Sequence, residues 1–117
     1  MIFSCKKSND KPCKYYTLGN GYDRQIPDSV PLGSDAIIGV LWKRELPCQR
    51  FNGFFADSIY GYRQISVETL VDKCNCEYDT AKFTWKYYTF RPDTIGRYPI
   101  QVSAFLAGNF VDTIVVY

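Results

Sequence analysis

The 117-residue chain is long enough for one domain with a core and too short to need a second. Hydrophobic residues make up 46% and charged residues 22%, which excludes a disordered chain, and 14 basic against 12 acidic side chains leave a net charge of only +2, too weak a field for a nucleic-acid partner. The sequence contains no histidine and no apolar run of about twenty residues, so it lacks the commonest proton shuttle and the signature of a membrane-spanning helix.

Residues 1–14 open with "MIFSC" and continue into the polar run "KKSNDKPCK", which predicts a flexible tether ahead of a folded domain at 15–117. The segment "YYTLGN" predicts a first short strand, stopped by the turn residues Gly19, Asn20 and Gly21. Prolines 27 and 31 and Gly33 then make 23–35 a loop or an irregular sheet edge, where a missing N–H costs little. In "AIIGVLWK" nearly every position is apolar, as expected of a strand covered on both faces, with Ala36, Ile38, Val40 and Trp42 sharing one of them. Pro47, Gly53 and Gly61 interrupt the stretch that follows, which predicts a connection holding one short irregular strand.

Alternation returns in "RQISVETLVD", with Ile65, Val67 and Val71 on one face and Gln64, Ser66 and Glu68 on the other. The aromatic run "AKFTWKYYTF" sets Phe83, Trp85 and Tyr87 against Tyr88 and Phe90, predicting a strand with cover on both sides. The cleanest pattern is Tyr98, Ile100, Val102, Ala104 and Leu106 alternating with polar or mixed partners, followed by a turn at 107–109 and a last strand "FVDTIVVY". Several short strands separated by turns, with no helical period, predict an all-β fold. The expected form is an antiparallel immunoglobulin-like β-sandwich of about seven strands, with a small β-barrel as the alternative.

Phe90 and Pro92, then Asp93, Gly96 and Tyr98, resemble the end of bacterial immunoglobulin-like domains of the PKD and related extracellular families. In that pattern a Phe-x-Pro closes one strand and an Asp-x-x-Gly-x-Tyr corner leads into two final strands. "SCKK" at 4–7, with Cys48, Phe51, Cys74 and Cys76, is also similar to small secreted lipoproteins of the Bacteroidetes. The resemblance implies a lipid attached at Cys5 and an address at the bacterial cell envelope, as an outer-membrane lipoprotein facing the periplasm or the surface. It implies no reaction.

Setting Cys5 aside leaves Cys13, Cys48, Cys74 and Cys76, an even set that predicts two disulfides in an exported domain. Three pairings are open; a bridge between Cys74 and Cys76 would close too small a ring, so each is expected to join either Cys13 or Cys48. A thiolate zinc site is the alternative, although one pair spaced by a single residue is not the usual zinc pattern. The oxygen-rich run at Asp72, Asn75, Glu77 and Asp79 lacks the glycine and spacing of a calcium loop and is expected to be a solvated turn. No catalytic motif is present, and no metal or other cofactor is expected. The expectation is a non-enzymatic module with a binding or structural role, tied to the membrane by its lipid. Tyr60, Tyr62 and Arg63 in "DSIYGYRQ" are the candidate contacts for a glycan or an envelope protein, because tyrosine and arginine offer contact area at modest entropic cost.

Overall fold

The computed structural model describes residues 13–59, 61–76, 82–104 and 108–117. Among these the chain forms strands β1 (Lys14–Gly19), β2 (Asp23–Gln25), β3 (Ser29–Val30), β4 (Ala36–Trp42), β5 (Gln49–Ile59), β6 (Tyr62–Asp72), β7 (Thr84–Phe90), β8 (Gly96–Ser103) and β9 (Asn109–Val116). They build two separate sheets, and the molecule is an all-β sandwich rather than a closed barrel. The count exceeds seven because the proline-bearing segment contributes two short edge pieces, β2 and β3.

The larger sheet is organised by β6. One of its edges pairs with β5 along almost its whole length, as a long hairpin. The other edge is shared end to end by two strands: β8 runs parallel to Arg63–Ile65, and β1 runs antiparallel to Val67–Asp72. Beyond β8 lie β9, antiparallel to it, and β3, parallel to the end of β9. The smaller sheet is the antiparallel set β2, β4, β7.

Gly21 joins the two strands that share the edge of β6. Its N–H donates to the Ser103 carbonyl at 2.7 Å, closing an isolated parallel bridge to Ala104. The core lies between the sheets, where Ala36, Ile38, Val40 and Trp42 of β4 meet Ile65 and Val67 of β6, Ile100 and Val102 of β8, and Ile114 and Val116 of β9. These are the inward positions that period-two alternation assigns.

Three expectations require correction. The stretch after Pro47 is not a connection with one short strand, because β5 runs for 11 residues. A β-bulge leaves Asn52 unpaired between Phe51 and Gly53, and the glycine beside it sits at φ 148°, so an apparent strand breaker instead lets Phe51 and Phe54 both turn inward. The outer faces of β4 and β7 are open rather than covered, with Ile37 and Tyr87 exposed. Asn109 is already paired with Ser103 in the final hairpin and is not a turn residue. Leu106, Phe105 and residues 1–12, including Cys5 and all but the last two residues of the expected tether, lie outside the described residues.

Candidate recognition surfaces

All four remaining cysteines gather at one end of the larger sheet. Cys13 is bonded to Cys74 and Cys48 to Cys76, with Cα separations of 5.3 and 4.8 Å. Backbone bonds run beside them, from Asp72 N–H to the Cys48 carbonyl at 3.0 Å and from Lys73 N–H to the Cys13 carbonyl at 2.7 Å. β1, β5 and β6 are thereby stapled at a common end.

Asp72 organises this end. Its side chain is 2% exposed, yet its Oδ1 accepts from the N–H groups of Cys74 and Asn75, each at 3.1 Å. Its Oδ2 meets the Arg50 guanidinium at 3.2 Å and Lys14 Nζ at 4.0 Å. A buried carboxylate needs such partners. The carboxylate expected to be solvated is thus a structural clamp, while Glu77 and Asp79 lie outside the described residues. A second buried polar group, Gln49, accepts from the Glu45 and Leu46 N–H groups and donates to Thr69 Oγ1 at 2.9 Å. It holds the 43–48 loop over the end of the core.

The hairpin between β5 and β6 has two residues between Ile59 and Tyr62, and Gly61 takes φ 82° there, a left-handed conformation that suits glycine. Tyr60 lies outside the described residues. Tyr62 is exposed, whereas the Arg63 guanidinium lies 4.9 Å over the ring of Phe90, a core residue. As neighbours on one strand, Tyr62 and Arg63 point to opposite faces of the sheet and do not form a common contact patch.

A different aromatic surface emerges on the outer face of the smaller sheet. The register places Leu41 opposite Trp85, Gly39 opposite Tyr87 and Ile37 opposite Thr89, all on the side away from the core. Tyr87 is 57% exposed and Ile37 48%. Gly39 lets its neighbours close in: a Cβ there would stand 3.1 Å from Gln25 Oε1 and 3.2 Å from Tyr87 Cε1. Lys86, between the two rings in sequence, points the other way and sits 4.9 Å over the Phe51 ring. The sequence signal for this surface was the odd-numbered aromatic set ending at Tyr87. Alternation alone does not say which face of a strand meets solvent.

At the corner of this sheet, Tyr22 donates to Glu45 Oε2 at 3.1 Å and meets the Phe83 ring edge-on at 5.2 Å. Lys43 Nζ lies 4.8 Å from the Phe83 centroid. Burial, then the hydrogen bond to Glu45 and its negative charge, push the Tyr22 hydroxyl up to about 12.

An open groove of about 540 Å³ lies beside β2 and β9, lined by Arg24, Ile26, Asp28 and Asp112 among others. Its main charges are engaged with each other, since Arg24 Nε donates to Asp112 Oδ2 at 3.3 Å. Among the described residues no three acidic, cysteine or histidine side chains come together in a way that could hold a metal ion. Comparison with protein-family models, with curated proteins and with solved structures finds no match.

Proposed function

We propose that the protein is an exported, non-enzymatic recognition module of a bacterial cell envelope, tethered through a lipid on Cys5, that binds a glycan with the outer face of its smaller sheet. The two disulfides support export, because such bonds persist in oxidising compartments. The observation that carries the binding reading is the aromatic and aliphatic row of Trp85, Tyr87, Leu41 and Ile37 on the outer face of the smaller sheet, with Tyr87 and Ile37 exposed and Trp85 and Leu41 half-buried beside them. Rings on a rigid pleated face offer stacking area without an ordering cost. The amide of Gln25 and the hydroxyl of Thr89 lie among them as hydrogen-bonding partners for sugar hydroxyls.

Native gel electrophoresis through soluble polysaccharides of contrasting backbone tests this. At least one polysaccharide should retard the protein, Tyr87→Ala should abolish the retardation, and the melting temperature should hardly move because the ring is mostly exposed. Retardation that survives Tyr87→Ala but is lost on replacing Tyr60 and Tyr62 would transfer the site to the hairpin tip. No retardation by any polysaccharide would overturn the glycan reading.

A further inference from the structure

The stapled end of the domain carries an excess of positive charge. Lys14, Lys43, Arg44, Arg50, Lys73 and Lys82 all belong to it. Lys14 pairs in register with Asp72, Arg50 with Leu70, and Lys73 follows Asp72. Gln49 holds the loop bearing Lys43 and Arg44, and Lys82 adjoins Phe83, the ring beneath Lys43. Among the described residues Glu45 and Asp72 oppose these six cations, and Glu68 follows two positions below Leu70, the partner of Arg50. By sequence, the 77–81 stretch between Cys76 and Lys82 adds Glu77 and Asp79.

The other end has the reverse balance. Asp28, Asp35, Asp57 and Asp93 stand there with Arg63, Arg91 and Arg97, and Arg91 is bound to Asp35 at 2.7 Å. Register places Arg97 twelve strand positions from Asp72, counted along β6 and β8, or about 40 Å at 3.3 Å per residue. That span is several times the screening length of about 8 Å in physiological salt, so a charged surface touching one end does not feel the other. The stapled end also exposes Leu46 and Pro47, an apolar tip among the cations.

We infer that the stapled end is a membrane-docking surface that recognises anionic lipid headgroups and holds the domain upright on the bilayer. Charge complementarity names the occupant, and the chain supports the orientation. The segment before Cys13 leaves from this same end, and the eight steps from Cys5 to Cys13 reach at most about 29 Å when fully extended. Docking at this end leaves the side face of Trp85 and Tyr87 open to a ligand. It does not depend on the acyl chain, so it is testable without one.

The full chain carrying Cys5→Ser is sedimented with vesicles of phosphatidylcholine alone or mixed with phosphatidylglycerol. It should bind only the mixed vesicles and be released by added salt. Lys73 and Lys82 make no ion pair among the described residues, so Lys73→Gln combined with Lys82→Gln should fold normally and bind about 25-fold more weakly, about fivefold per lysine. Arg97→Gln, which removes the same charge at the far end, should bind within about twofold of the parent, as expected for a site beyond the screening length. Equal binding to both vesicle types, no binding at low salt, or a loss in Arg97→Gln matching that per lysine would each overturn the proposal. Any of these would leave the polysaccharide measurement, and the reading it tests, untouched.

Discussion

Gly21 shows how closely a single residue can be constrained without a special backbone angle. A Cβ at this position would lie 2.8 Å from Val40 Cγ1 and 3.2 Å from the Ser103 carbonyl oxygen. Both neighbours are held, one in the core and the other by the bridge that the Gly21 N–H makes. Gly21→Ala should therefore lower the unfolding free energy by about 1–3 kcal/mol, the usual cost of overpacking, as read from a shifted urea midpoint with an unchanged slope. Its "GNG" context marks a turn in the sequence, but the approach of Ser103 of β8, far downstream in the chain, leaves no local trace.

Tyr22, the next residue, gives a prediction in pH. The folded state favours its neutral phenol, because burial and then Glu45 penalise the phenolate. This contribution is complete below the ordinary phenol value of 10.0 and is lost as pH rises toward about 12. Unfolding free energy should thus fall across that alkaline window, and Tyr22→Phe should flatten the fall. An equally steep decline in the variant would assign the effect to other groups.

At the scale of the element, the strands whose hydrophobic pattern is simple were the ones legible in the sequence. β4, β6 and β8 each bury alternate residues, and Ala36, Ile38, Val40, Ile65, Val67, Ile100 and Val102 all fall on the face that period two assigns. β5 was not legible, because a bulge shifts its phase by one residue: Phe51 and Phe54, three apart, both face inward. Gly53 at φ 148° makes that shift possible, and an alanine there should cost about 1–2 kcal/mol, within the usual penalty for a strained backbone position. The exposed row on β4 and β7 was missed for a different reason. Its residues are as apolar as core residues, and in a fold of two sheets no third layer covers the outer face on which they lie. The hairpin-tip candidates failed to converge for a third reason, namely that Arg63 finds the Phe90 ring on the inner side of β6.

Across the whole molecule, stability is unevenly supported. The far end relies on the β8–β9 pairing, the short parallel contact of β3 and the packing of Phe90 against Tyr98 at 5.4 Å. At the other end, β1 touches only β6 within the sheet, and its inner positions carry no member of the main core cluster. What fixes β1 is its six-residue ladder, the bond from Thr69 Oγ1 to the Thr17 carbonyl at 3.1 Å, and the disulfide from Cys13 to Cys74. That bridge spans 61 residues and the Cys48–Cys76 bridge 28, which in the chain-entropy model correspond to about 4.3 and about 3.6 kcal/mol. Replacing Cys13 and Cys74 together by serine should therefore cost more than replacing Cys48 and Cys76. The loss should also be local before it is global. Hydrogen exchange of the double serine variant should accelerate most along Lys14–Gly19 and the adjoining edge of β6, while Ile38, Ile100 and Ile114, whose contacts lie between the sheets, lose only the protection that the fall in global stability removes. Uniform acceleration through β4, β8 and β9 would mean that the staple supports the whole sandwich rather than one end of it, and that the tether side and the far side unfold as a single unit.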